Sequence, residues 1–248
     1  MEVSGALADV AELGPFFTVR THAEVPDGPP PRPLADLEVD GPALRERIGY
    51  VRGALGGDPA VLLRVAASIA FQGIAAVVVS PAYAAAVLHA TVPALGPAIL
   101  HWQDVRGGPL PLWAPDPRGT PHPDARSAAD ALAAGYAEHL PALVAAVRSV
   151  VPVSPRVLWG NVASVVAGAK RMVVSQRPAA AGRAAAIATR LLDTGPLAGT
   201  GERLPPQDPD RHWTFRRRNC CLLHRVPGAG VCGDCVLTAP RPSRTKLS

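Results

Sequence analysis

Residues 216–236 read RRRNCCLLHRVPGAGVCGDCV and contain all four cysteines of this 248-residue chain. The thiols form an adjacent pair, Cys220-Cys221, and after ten residues a second pair, Cys232-Gly-Asp-Cys235. Cysteines that served only the core would be scattered along the chain, so a cluster of four indicates a ligand set. Four thiolates suit a soft metal centre, which means either an iron–sulfur cluster or zinc.

The spacing of the two pairs bears on which metal is bound. A structural zinc site is normally built from two C-x2-C knuckles around one ion, and only Cys232–Cys235 has that form. Neighbouring residues in an extended chain point in opposite directions, so Cys220 and Cys221 need an unusual turn to hold a single ion. An iron–sulfur cluster spreads its ligands more widely, and one [2Fe–2S] or [4Fe–4S] cluster uses all four cysteines. The pattern favours iron–sulfur and leaves zinc open.

The N-terminal region and the most apolar stretch indicate the cellular location of the chain. Residues 1–9 lack the basic residues and the long apolar run of a signal peptide. The most apolar stretch, residues 65–79, is too short to cross a bilayer. We therefore expect a cytoplasmic protein with no integral membrane segment, and in that reducing compartment disulfide bonds between the clustered cysteines are disfavoured.

Positive charge is concentrated around the cysteines. The whole chain carries +5, but residues 210–248 carry +6 and residues 1–209 carry −1. Basic segments often bind nucleic acid or lie solvated at the surface. A four-thiolate iron–sulfur site is itself anionic, so guanidinium groups beside it would offset its charge. The candidates for that role are Arg216, Arg217, Arg218 and Arg225.

The rest of the chain predicts a helical body. Hydrophobic residues make up 48% and aromatic residues only 4%, so the core consists of Ala, Val and Leu and favours close helix packing. Helix starts are marked by a capping residue followed by proline at Asp58-Pro59, Ser80-Pro81 and Ser154-Pro155, and by Asp40-Gly-Pro42. We predict helices over 42–56, 59–79, 81–91, 124–150, 155–176 and 178–193, with Pro141 splitting the fourth into two.

Two short stretches predict the β structure. Residues 99–103 and 109–113 flank Asp104-Val-Arg-Gly-Gly108 and indicate an antiparallel hairpin whose turn needs glycine. Prolines in the second stretch place it at a sheet edge, and residues 16–20 are a further candidate strand. Segments rich in Pro and Gly predict linkers at 26–33, 114–123 and 194–209.

The predicted fold is therefore mainly α with a small antiparallel β-hairpin or sheet, an α+β architecture that ends in a cysteine-rich iron–sulfur segment. We divide the chain into a helical body, a cysteine segment and a basic tail, which comprise residues 1–209, 210–240 and 241–248.

The loop between the cysteine pairs contains Gly228-Ala-Gly-Val-Cys-Gly233, which has the letters of a dinucleotide fingerprint without its strand–helix context. Its glycines are expected to turn the chain tightly and direct backbone N–H groups at the sulfurs. His224 is expected to be a polar loop residue that hydrogen-bonds the site, not a ligand. No flavin, nicotinamide or nucleotide motif is present, so we expect any electron that this site transfers to come from a separate donor.

With Arg216-Arg-Arg-Asn-Cys-Cys221 and Cys232-Gly-Asp-Cys-Val236 in view, the chain resembles the ferric siderophore reductase (FhuF-like) family, whose C-terminal domain carries a C-C-x10-C-x2-C motif. Upstream, Phe71-Gln-Gly73, His101-Trp102 and Trp159-Gly-Asn161 look like the helical body of that family, over most of residues 15–240. The resemblance implies a [2Fe–2S] cluster with four ligands: Cys220, Cys221, Cys232 and Cys235. It also implies one-electron reduction of Fe(III) in a ferric siderophore, release of Fe(II) in the cytoplasm, and a donor such as a ferredoxin or flavoprotein.

Two other functions stay open at this stage. One is a zinc-stabilised interaction module on a helical scaffold. The other is an iron–sulfur regulator that binds DNA through the basic segment, although no reading head is visible and we expect no nucleic-acid partner. The upstream polar and aromatic residues lie in apolar surroundings and are expected to pack and hydrogen-bond in the core, not to contact a siderophore: Gln72, Trp102, Trp159 and Asn161.

Overall fold

The computed structural model describes residues 1–22, 24–56 and 59–238. Six α-helices lie within these residues: Ser4–Ala11 (α1), Pro42–Leu55 (α2), Pro59–Leu88 (α3), Ala125–Val150 (α4), Pro155–Gln176 (α5) and Ala181–Leu192 (α6). Helices α3 and α5 pack along each other at the centre, with α2 against α3 and with α4 and α6 against each other. Many of the buried side chains on the two central helices are alanine, which allows close packing. The predicted α+β class is confirmed.

Helix α3 continues through Pro81, where the sequence predicts that one helix ends and another begins. That prediction is wrong. Proline inside a helix removes one backbone hydrogen bond and costs about 3 kcal/mol. The helix around Pro81 is nevertheless buried on all sides, with Val79, Ala82 and Tyr83 in the core. Packing therefore outweighs the local cost of the proline.

Helix α4 is also continuous, so the prediction that Pro141 splits it is wrong for the same reason. Leu140, Leu143 and Val144 bury the face of the helix next to this proline. The helix begins where predicted, because the Asp124 side chain accepts a hydrogen bond from the Ser127 N–H at 2.7 Å.

The other marked helix starts have mixed outcomes. Helices α2 and α5 begin at Pro42 and Pro155 as predicted. Ser154 precedes α5 but makes no side-chain capping hydrogen bond. The proposed cap at Asp58 lies outside the described residues.

Eight short strands form three small sheets: Val19–Arg20 (β1), Arg32–Pro33 (β2), Thr91–Pro93 (β3), His101–Trp102 (β4), Leu112–Trp113 (β5), Gly119–Pro121 (β6), Gly201–Leu204 (β7) and Thr214–Arg217 (β8) within the described part of the chain. The predicted hairpin is confirmed, because β4 and β5 pair antiparallel with Trp102 opposite Leu112. Gly107 and Gly108 in its turn have φ of 86° and 133°. Of residues 16–20, only Val19 and Arg20 form a strand.

Strand β5 is not at the edge of its sheet, contrary to the prediction from its prolines. The strand order is β1-β5-β4-β2, so β5 pairs with β1 on one side and with β4 on the other. Pro109 and Pro111 lie outside the two paired residues of β5, Leu112 and Trp113, and therefore remove no ladder hydrogen bond.

Each of the three predicted linkers contains a strand, namely β2, β6 and β7. These strands have only two to four residues, too few to show an alternating pattern. Strands β7 and β8 pair antiparallel and connect the predicted helical body to the cysteine segment. The division of the chain at residues 209 and 240 stays a prediction, and the tail 241–248 lies outside the described residues.

Two helical stretches, Leu63–Leu88 and Pro155–Gln176, are long and apolar enough to cross a membrane by length and composition alone. In the structure 78% and 67% of their most apolar windows are buried within the protein. Such burial is typical of the core helices of a folded domain, so these stretches are weak evidence for a membrane.

Candidate metal centre

The cysteine segment follows directly from β8 and turns sharply at its adjacent pair. Cys220 and Cys221 are followed by Leu222, whose φ is 74°. This left-handed conformation is uncommon for residues other than glycine and costs on the order of 1–3 kcal/mol. A short 3-10 turn, Leu223–Arg225, comes next. The chain therefore turns directly after the adjacent cysteines.

Further along, the chain turns at Gly228 and Gly230, where φ is 77° and 69°. The second cysteine pair forms its own turn, in which the Cys235 N–H donates to the Cys232 carbonyl at 3.2 Å. The predicted role of the two glycines in turning the loop is confirmed.

Backbone N–H groups point at two of the sulfurs, but they do not come from the glycines as predicted. The Leu222 N–H donates to Cys220 Sγ at 3.2 Å, and the Leu237 N–H donates to Cys235 Sγ at 3.4 Å. In both cases the donor is two residues beyond the cysteine, because the turn after each cysteine brings that N–H back to the sulfur. His224 lies near the same site, with Nδ1 3.1 Å from Cys220 Sγ.

Two of the four thiols, those of Cys221 and Cys232, lie close together. The Sγ atoms of Cys221 and Cys232 are 3.6 Å apart, and two ligands of a tetrahedral metal with metal–sulfur bonds of about 2.3 Å are separated by about 3.8 Å. Cys221 and Cys235 are buried, whereas Cys220 and Cys232 are half-buried, and all four are free thiols. Within residues 1–22, 24–56 and 59–238, no three His, Cys, Asp or Glu side chains converge on one ion. The spacing of the Cys221 and Cys232 sulfurs therefore suits two ligands of one metal ion.

The thiols also influence one another electrostatically. The hydrogen bond shared with Cys232 lowers the pKa of Cys221 to about 6, and the same contact raises the pKa of Cys232. Burial raises the pKa of Cys220, and the charges of Cys221 and Cys235 raise it further. Deprotonation of one thiol therefore disfavours deprotonation of its neighbours unless a cation lies nearby.

Arg217, the last residue of β8, is the nearby cation. Its residue surface is only 1% exposed, and its positive charge favours the thiolate at both Cys220 and Cys221. Its Nη2 donates to Asn161 Oδ1, while Nε and Nη1 have no hydrogen-bond partner among the described residues. A buried cation without a counter-charge is unfavourable by several kcal/mol. An anionic iron–sulfur group at the thiols would supply that counter-charge, so the residues present fit such a group.

A chain of buried hydrogen bonds joins this cation to the central helices. Asn161 on α5 donates through Nδ2 to the Ser68 carbonyl at 2.9 Å, and Ser68 Oγ on α3 donates to the Cys221 carbonyl at 2.9 Å. A Cβ at Gly160 would lie 3.4 Å from the Asn219 Cβ, at ordinary van der Waals distance, so the segment lies close to α5 at this point. Asn161 is a buried hydrogen-bonding residue, as expected, whereas the role of Ser68 was not visible in the sequence.

The other three arginines have different surroundings. Arg216 Nε donates to Glu202 Oε1 at 2.5 Å across the β7–β8 hairpin. Arg218 and Arg225 are exposed. From the sequence, all four arginines are equal candidates for offsetting the charge of the cluster. In the structure, Arg217 alone among them is a buried charge beside the thiols.

Residues 217–237 match the family model of the FhuF 2Fe-2S C-terminal domain. The resemblance is confirmed for this segment, and the match indicates a [2Fe–2S] cluster as its cofactor. The remainder of the resemblance, over the helical body, lies outside the matched residues and stays a prediction. No curated protein matches the chain.

The cysteine segment, residues 210–240, is anchored to α5 by polar contacts that the sequence did not reveal. Lys170 is fully buried, and its Nζ donates to Asp210 Oδ1 at 2.9 Å and to the Trp213 carbonyl. The same Nζ lies 3.8 Å from the centroid of the Trp213 ring. At the other end of the segment, Ser164 Oγ donates to Asp234 Oδ2 at 2.5 Å. Both ends of the segment are thereby held against one helix.

A cavity of about 550 Å³ opens beside two thiols of the FhuF 2Fe-2S segment. Cys221 and Cys232 form part of its wall, and α3, α5 and Phe16 form most of the rest. Gln72 was expected to be a buried core residue, but it is only half-buried and lines this cavity. Neither Cys220 nor Cys235 lines it. Cys221 and Cys232 therefore border the cavity, whereas Cys220 and Cys235 do not. The spacing of the cysteines in the sequence does not show this difference.

Proposed function

We propose that this protein is an iron–sulfur electron-transfer enzyme that reduces Fe(III) in a siderophore and releases Fe(II) in the cytoplasm. The match of residues 217–237 to the FhuF 2Fe-2S C-terminal domain carries this proposal. The ligands of the cluster in this proposal are Cys220, Cys221, Cys232 and Cys235. The electron comes from a separate donor protein, such as a ferredoxin or flavoprotein, because the sequence contains no nucleotide or flavin motif.

The chemistry requires one electron and no bond formation on the protein. Hydroxamate and catecholate siderophores bind Fe(III) far more tightly than Fe(II), so adding one electron to the chelated iron loosens it. A [2Fe–2S] cluster, when bound, supplies single-electron transfer at a potential that depends on nearby charge and hydrogen bonds. The donor protein is oxidised by one electron for each Fe(III) reduced to Fe(II).

The residues of the chain contribute charge, orientation and protection from water. Arg217 favours additional negative charge at the thiols because its own charge is buried beside them. The Leu222 and Leu237 N–H groups donate hydrogen bonds to the sulfurs of Cys220 and Cys235 and orient them. Cys221 and Cys235 are buried, whereas Cys220 and Cys232 are half-buried and give the site an accessible side.

The first test is the composition and spectrum of the protein purified without oxygen. We expect two iron atoms and two acid-labile sulfides per chain, visible absorption, and an EPR signal after reduction with dithionite. A colourless protein that contains zinc and no labile sulfide would instead support the interaction module.

The second test measures iron release. Dithionite-reduced protein, freed of excess reductant, is mixed with a ferric siderophore, and Fe(II) is trapped with a coloured chelator. We expect the Cys232→Ser variant to lose the cluster and the release of iron. Ser149→Ala on α4, whose hydroxyl contacts only its own helix, is the matched control and should keep both. Iron release at the wild-type rate by the Cys232→Ser variant would exclude the proposed function.

A further inference from the structure

The cavity beside Cys221 and Cys232 has the size of a small-molecule site. Its volume of about 550 Å³ lies within the range of about 300–1,000 Å³ that is usual for ligand pockets. A protein partner needs a much larger and flatter contact area, on the order of 1,000 Å² or more. The occupant that this cavity fits is therefore a compact molecule and not the electron-donor protein.

Two glycines keep this cavity open. Gly73 in α3 and Gly168 in α5 both line it, and a Cβ built at either position would have no neighbouring atom within 4 Å. Glycine is unfavourable inside a helix, so such a position usually has a packing reason. Neither cavity glycine has that reason. Their missing side chains instead leave space next to the thiols.

The remaining wall combines apolar surface with a few polar groups. Phe16 and Met172 are 41% and 38% exposed, which is high for large hydrophobic side chains. Arg171 and Asp234 contribute one charge of each sign, and Gln72 contributes an amide. An apolar pocket with a few converging polar groups is typical of a site for an organic ligand.

The position of the thiols indicates which class of organic ligand binds in the cavity. Cys221 and Cys232 belong to the cavity wall, so any occupant lies directly against two of the proposed cluster ligands. In the proposed reaction, the molecule that accepts the electron has to approach that group. We propose that the cavity between α3, α5 and the cysteine loop is the binding site of the ferric siderophore, with Gly73 and Gly168 providing the space for the chelate. This inference rests on the proposed reductase function.

The test separates binding from electron transfer by using Ga(III), which has the charge and size of Fe(III) but is not reduced. Binding of Ga(III)–desferrioxamine B and Ga(III)–enterobactin to the protein with its cluster is measured by calorimetry. Gly73→Leu and Gly168→Leu place a side chain in the cavity, and each should weaken the binding of the preferred chelate at least about tenfold. Gly182→Leu in α6 is the matched control, because its Cβ position is also open and it does not line the cavity.

A smaller substitution at the same position controls for misfolding of the leucine variants. Gly168→Ala should raise the unfolding temperature, because alanine favours the helix, and should still weaken chelate binding. The visible spectrum of the cluster should be the same in all variants. Unchanged affinity in both leucine variants, or no binding of either chelate by the wild-type protein, would overturn the cavity assignment. The proposed function would survive either result if the reduced wild-type protein still releases iron from a ferric siderophore and the Cys232→Ser variant does not.

Discussion

Arg217 Nη2 donates a hydrogen bond to Asn161 Oδ1 in the interior, where neither residue is more than 1% exposed. The contact holds a guanidinium beside the thiols while two of its nitrogens, Nε and Nη1, stay without a partner among the described residues. Asn161 also donates to the Ser68 carbonyl, and Ser68 Oγ donates to the Cys221 carbonyl. The cation and the cysteine backbone are thus positioned by the same hydrogen-bond network.

Replacing Arg217 with glutamine should lower the reduction potential of the cluster. At an effective dielectric of about 20, loss of a unit charge close to the cluster corresponds to a shift on the order of 0.1 V for one electron. The potential is measured by redox titration followed by EPR. Arg218→Gln is the control, because Arg218 is exposed and its charge is screened by water. Equal shifts in the two variants would contradict a special role for the buried arginine.

Replacing Asn161 with alanine should destabilise the protein by about 1–3 kcal/mol. The change leaves Arg217 with no hydrogen-bond acceptor and removes the donor to the Ser68 carbonyl, and unsatisfied buried polar groups are costly. The free energy of unfolding is measured with denaturant. Gln176→Ala on the same helix is the control, because that amide is exposed and its hydrogen bond to the Leu13 carbonyl should contribute less. A smaller loss for Asn161→Ala than for Gln176→Ala would refute the network.

Replacing Lys170 with methionine should destabilise the contact between α5 and the cysteine segment by about 3–5 kcal/mol. The change leaves Asp210 buried without its main partner. Arg171→Met is the control, since Arg171 contacts the same carboxylate from a side chain that is 41% exposed and should contribute about 0–1 kcal/mol. The free energy of unfolding of each variant is measured with denaturant. Proteolysis after Arg211 measures whether the cysteine segment has detached from α5. Equal losses would show that burial of Lys170 is unimportant.

Stability should decrease at alkaline pH because of His139. Both of its ring nitrogens face acceptors, Nδ1 the Glu38 carboxylate and Nε2 the Leu95 carbonyl at 2.7 Å, so both can donate only when the ring is protonated. Burial by itself lowers the pKa of His139, but the hydrogen bonds to Glu38 and Leu95 outweigh it and raise the pKa above 6.5. The stabilisation is therefore complete below about pH 6.5 and is lost as the pH rises through the raised value.

The pH dependence is measured as the free energy of unfolding between about pH 5 and 9. His139→Gln should remove the decrease that this residue causes, whereas His212→Gln, at an exposed position, should keep it. A wild-type profile that matches the His139→Gln profile would show that this pair does not govern the pH response.

Some features were predicted from the sequence because they depend on near neighbours in the chain. The starts of α2 and α5 follow from Pro42 and Pro155, whose fixed φ suits the first turn of a helix. The turn with Gly107 and Gly108 follows from the positive φ that glycine permits. Pro81 and Pro141 show where this local reasoning fails, because packing from other helices keeps each helix intact through its proline.

The chemistry of the cysteine segment could be predicted from residue types and short spacings: four clustered thiols, a basic segment around them, and a resemblance that the match over residues 217–237 confirms. The three-dimensional fold was needed to show that Arg217, and not its neighbours, is the buried charge, and that Gly73 and Gly168 border one cavity with Cys221. Burial and cavities depend on contacts between segments that are far apart in the chain, and no local sequence pattern predicts which of these segments pack together.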